Sequence, residues 1–101
     1  MTRKEVLKKA LRLIRKGWIK GISEEKVRGV QCFCLSAAIY EAAPARSYDS
    51  CVKAAAKGLP NEGQGEGLFG HGSYLVAYND RRSTTKEDVI AVLKRAIALL
   101  P

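Results

Sequence analysis

Gly58-Leu59-Pro60-Asn61-Glu62-Gly63-Gln64-Gly65-Glu66-Gly67-Leu68-Phe69-Gly70-His71-Gly72 holds six of the nine glycines in a chain of 101 residues. Glycine loses the most conformational freedom on folding and brings no side chain to a core. Residues 58–72 therefore read as a glycine-rich surface loop, and the helical patterns on either side as the parts that build the core. Within the loop, Gly65-Glu66-Gly67-Leu68-Phe69-Gly70 matches the G-x-G-x-x-G spacing. A dinucleotide site needs that spacing to follow a strand and open a helix, so that free backbone N–H groups meet the pyrophosphate. Here a helical pattern precedes it and an extended stretch follows, so no nucleotide or other cofactor is expected.

Working back from the loop, Ser47 to Lys57 reads as a short helix, with Gly58 just past its end and Pro60 beyond. Before it, Cys32-Phe33-Cys34-Leu35-Ser36-Ala37-Ala38-Ile39-Tyr40 carries no charge until Glu41. Apolar on every side, this segment predicts a buried central helix, closed by Pro44. Ile19 to Gly29 reads as a connector. The first helix opens on a capping box, Thr2 with Glu5. Val6, Leu7, Ala10, Leu11, Leu13 and Ile14 then occupy one half of its wheel, Trp18 extends that face, and Gly17 is a stop.

Beyond the loop, Ser73 to Tyr78 reads as an extended lead-in and Asn79-Asp80 as a turn. The last helix opens on Thr84 with Glu87 or Thr85 with Asp88, and Val89, Val92, Leu93, Ala96, Ile97 and Leu100 form its apolar face. The expected fold is all-α: a compact single domain over residues 1–101, a bundle of about four helices with the glycine loop between the third and the last.

Length allows one core. An apolar share of 47% with 28% charge suits a soluble globular chain rather than a disordered one. No apolar run approaches the roughly 20 residues that span a bilayer, and the basic start turns amphipathic with no apolar leader, so no membrane role and a cytoplasmic location are expected. Three cysteines, an odd number, argue against a disulfide framework.

The net charge is +8, and residues 1–28 supply most of it, with ten Lys/Arg against three Glu. Lys4, Lys8, Lys9, Arg12, Arg15 and Lys16 fill the polar half of the first helix. Such a face can sit on phosphate oxygens or on an acidic protein surface, and no aromatic side chain is interleaved to stack on bases. A solvated face that only keeps the domain soluble is the plainer explanation. Cys32, Cys34, Cys51 and His71 are weak metal candidates, because structural zinc sites pair their ligands at short spacing and residues 32 and 34 of a helix would point about 200° apart. A free cysteine is commonly just buried. His71 among glycines is a poor partner for a nucleophile, and no carboxylate pair stands in an apolar frame, so no enzyme is expected.

Gly17-Trp18 with Gly21, Cys34-Leu35-x-Ala37-Ala38, Tyr78-Asn79-Asp80, and Thr85 with Val89, Leu93 and Ala96-Ile97 together resemble a family of small uncharacterised proteins of bacteria and their phages. The usual pattern there has tryptophan at Tyr78 and glycine at Ala37. The resemblance implies a small helical fold, a phage or mobile-element origin and no assigned activity. It also implies structural roles: Trp18 and Tyr78 as core aromatics, Asn79 and Asp80 as turn and cap. The reading that follows is a non-catalytic interaction protein binding a host protein through its basic N-terminal helix. A nucleic-acid binder using the same helix is the alternative, and a zinc-binding or Cys/His enzyme a weaker one.

Overall fold

The Thr2 hydroxyl accepts from the Glu5 N–H at 3.1 Å while the Glu5 carboxylate accepts from the Thr2 N–H at 3.0 Å, which satisfies two of the orphan donors of a helix start. This expected box opens α1, Arg3–Lys16, in the computed structural model, which describes residues 1–60 and 71–101 and all of their side chains but those of His71 and Gly72. Val6, Leu7, Ala10 and Ile14 are fully buried, and Leu11 nearly so, as the periodicity predicts.

After α1 the order is β1, Glu24–Val27; β2, Val30–Phe33; α2, Leu35–Ala42; a 3-10 turn, Ala45–Ser47; α3, Tyr48–Ala56; α4, His71–Asp80; and α5, Lys86–Leu99. The described residues thus form an α+β fold, and the expected all-α bundle of four helices is overturned. Two segments account for the change. The supposed connector and the first residues of the supposed central helix make an antiparallel hairpin, with Val27 paired to Val30 and Glu24 to Phe33. Its two-residue turn places Arg28 at φ 51° and Gly29 at φ 82°, the double positive φ of a type I′ turn. Arginine gives no sequence signal for that conformation.

The second segment is Ser73 to Tyr78, expected as an extended lead-in and found within α4. Leu75, Tyr78 and Asn79 point inward at helical spacing, so packing overrides the strand preference of Tyr and Val. The central helix also starts later than expected. Cys32 and Phe33 belong to β2, Cys34 is the N-cap of α2, and Tyr40 is 69% exposed, so the helix is buried on one side only.

Two glycines act through close approach. A Cβ on Gly17 would stand 2.7 Å from Cys32 Sγ; its absence lets the end of α1 lie on β2, where the Phe33 N–H donates to Gly17 O at 3.0 Å and the Ile19 N–H to Phe33 O at 3.2 Å. A Cβ on Gly58 would stand 2.1 Å from the Val92 carbonyl oxygen, so this glycine seats α3 against α5. The expected helix-ending role of Gly58 needed no positive φ. Ser47 was expected to cap α3, but its hydroxyl donates to Pro44 O at 3.1 Å. One buried cluster draws on all five helices, with Leu7, Ile14, Leu35, Ile39, Leu75 and Leu93 as its largest fully buried side chains.

Candidate functional site

The basic face of α1 is the most developed feature of the surface. Burial of the opposite face holds the helix rigid, and both of its ends are tied. Thr2 and Glu5 close the start; hydrogen bonding to Thr2 holds the Glu5 carboxyl below its ordinary pKa, so this cap is present in its charged form at neutral pH. At the other end, Lys86 Nζ donates to Arg15 O at 2.8 Å, a cation at a helix C-terminus. Lys8, Arg12, Arg15 and Lys16 are exposed, and Lys4 and Lys9 are half-buried.

Other cations are absorbed by the fold. Lys20 Nζ donates to the carbonyls of Arg81 at 2.5 Å and Thr84 at 2.8 Å, while lying 5.4 Å from the Trp18 ring centroid. Arg95 Nε donates to Gly58 O at 2.7 Å. Arg81 stands over the Tyr78 ring at 5.5 Å. No such contact engages the six side chains of the α1 face among the described residues.

Just past the end of α1 lies a polar node that the sequence did not reveal. Asn79, expected in a turn, is fully buried near the end of α4. Its Oδ1 accepts from Trp18 Nε1 at 2.6 Å and from the Leu35 N–H, the first of α2, at 3.0 Å. Its Nδ2 donates to Ile19 O at 3.1 Å and to Asp80 Oδ1 at 3.0 Å. Asp80 Oδ1 also accepts from the Gly21 N–H at 2.9 Å, where φ is 87° and a side chain would be strained. One amide thereby ties the segment after α1, the start of α2 and the end of α4. Three of the stretches that carry the family resemblance, 17–21, 34–35 and 78–80, meet at this point.

A family model, DUF6197, described as a family of unknown function, matches residues 1–99. The chain belongs to that family. No curated protein and no solved structure matches it.

In this DUF6197 chain the cysteines serve the fold. All three are free and buried. Cys34 Sγ accepts from the Ala37 N–H at 3.4 Å as the cap of α2, Cys32 Sγ donates to Val30 O at 3.6 Å beside Gly17, and Cys51 is fully buried in α3. Cys32 and Cys34 therefore do not share a helix, which corrects the geometry expected for them. Among the described residues no three of Cys, His, Asp and Glu gather where a metal ion could be held. The side chain of His71, and the G-x-G-x-x-G stretch with the rest of 61–70, lie outside the described residues. No helix among the described residues is long and apolar enough to cross a membrane.

Two clefts lined by described residues flank these features. One, about 350 Å³, lies between the hairpin and α2 and is lined by Glu24, Tyr40, Glu41 and Tyr48. Tyr40 and Tyr48 meet edge-on at 5.2 Å, and burial, helped by Cys34, Asp49 and Tyr40, raises the Tyr48 hydroxyl above its ordinary pKa. The other, about 390 Å³, opens between the start of α1, α3 and the start of α4, with Arg3, Lys53 and Lys57 on its walls. Sequence reasoning missed this second cleft. The four-residue step from Lys53 to Lys57 was visible, but not the approach of Arg3.

Proposed function

We propose that this DUF6197 member is a non-catalytic binding protein that docks an acidic protein surface with the basic face of α1. The observation that carries the reading is the division among the cations. Lys20, Lys86 and Arg95 serve backbone carbonyls, whereas Lys8, Arg12, Arg15 and Lys16 stand exposed on a rigid helix with no hydrogen-bond or ring partner among the described residues. A protein is favoured over nucleic acid by the make-up of the stripe and of the exposed surface. Met1, 66% exposed, precedes α1, and Leu99, 64% exposed, ends α5. A surface that carries exposed apolar side chains as well as charge suits a protein interface, and the stripe has no aromatic to stack on bases. A phage or mobile-element accessory acting on a host protein fits this reading.

The test is affinity capture from a bacterial lysate with the wild-type chain and the double variant Arg12→Glu/Arg15→Glu, beside a salt titration on a generic DNA duplex. The expected result is an acidic partner held by the wild type and lost by the variant, with weak DNA binding at physiological salt. DNA binding that persists there, with log affinity falling against log salt at a slope of roughly −3 to −4 for four phosphate contacts, would replace the reading by the nucleic-acid one.

A further inference from the structure

We propose that the cleft between the start of α1, α3 and the start of α4 binds a small phosphomonoester with a flat apolar body. Its volume, about 390 Å³, falls in the range of small-molecule sites. Among the described residues, three of the eight that line it are cations, Arg3, Lys53 and Lys57, and none is a carboxylate. All three side chains are exposed and none is paired within the protein among the described residues.

Helix electrostatics account for part of this set only. Lys53 lies in the last turn of α3 and Lys57 at its C-cap, where the dipole favours a cation. Arg3 is the first residue of α1, where the dipole opposes one. Lys53 and Lys57, four apart, repel each other across one helical turn. Three mutually repelling cations around one concavity are stabilised by an anion, and the dianionic phosphate of a monoester matches them better than a single carboxylate. Most of the remaining described lining is apolar: Ala54, Ala56 and Leu59 are buried in the wall, the half-buried Tyr74 adds an aromatic side chain, and Ser50 is the one small polar residue among them. A bare inorganic anion would leave that surface unused. A ligand carrying both a phosphate and a flat body covers both halves of the cleft.

This site is separate from the α1 stripe, so the two readings fail separately. The full chain is titrated with AMP as the probe, and with adenosine and inorganic phosphate as its halves, while backbone amide shifts are followed by NMR. AMP is expected to saturate, with shifts centred on residues 3, 50–59 and 74, and to bind tighter than either half by on the order of tenfold or more. Lys53→Glu/Lys57→Glu changes two exposed side chains and is expected to abolish saturation. Arg12→Glu, on the other surface, is expected to leave AMP binding unchanged. The proposal is overturned if AMP does not saturate, if adenosine alone binds as well, if the Lys53/Lys57 variant binds as the wild type does, or if Arg12→Glu weakens binding equally.

Discussion

Asn79 shows how one buried amide can hold three segments together. Its oxygen has both acceptor positions filled, by Trp18 Nε1 and the Leu35 N–H, and its NH2 donates to Ile19 O and to Asp80. Asn79→Ala removes the common partner and leaves the buried Leu35 N–H and the Ile19 carbonyl without a match. Each such group costs about 1–3 kcal/mol, so a loss of about 3 kcal/mol is expected by urea denaturation. Trp18→Phe is the control. It takes away one donor, leaves the oxygen bonded to Leu35, and should cost only about 1 kcal/mol. Equal losses for the two variants would show that aromatic packing, and not the amide, holds the segments together.

Helix starts offer a sharper comparison in α5. The Thr85 hydroxyl accepts from the Asp88 N–H at 3.2 Å and Asp88 Oδ2 accepts from the Thr85 N–H at 2.9 Å, whereas the buried Thr84 hydroxyl donates to Tyr78 O at 2.7 Å. Thr85→Ala should lower stability by about 1 kcal/mol and Thr85→Ser should largely restore it, since only the oxygen is needed. A Thr85→Ala variant as stable as wild type would show that Asp88 alone holds the helix start. These two caps, and the apolar faces of α1 and α5, could be read from the sequence because they are local, periodic patterns. The hairpin could not, since its turn is Arg28-Gly29 and its strands are exposed over most of their length. Nor could α4, whose inward residues Leu75, Tyr78 and Asn79 take their meaning from elements far away in sequence. For the candidate site, the basic stripe was legible as charge on one helical face. The cationic cleft was not, because Arg3 and Lys53 are brought together only by tertiary packing.

The charge of the whole molecule, +8, sets a condition on the meaning of that stripe. Like charges at three- and four-residue spacing destabilise a helix, and Arg12 has Lys8 and Lys16 four residues away and Lys9 and Arg15 three away, cations on every side. Arg12→Glu turns four repulsions into attractions and lowers the net charge by two. At low salt the variant should be more stable than the wild type by about 1 kcal/mol, even after the small dipole cost of an acid in the second half of α1. The gain should shrink as salt is added, since exposed charges are screened over about 10 Å at 0.1 M. A face kept for binding can hold such a residue at a cost in stability. Thermal denaturation of Arg12→Glu at two salt concentrations measures that cost. A variant that loses stability at low salt would mean that Arg12 has a partner within the fold, and the α1 face would then be structural.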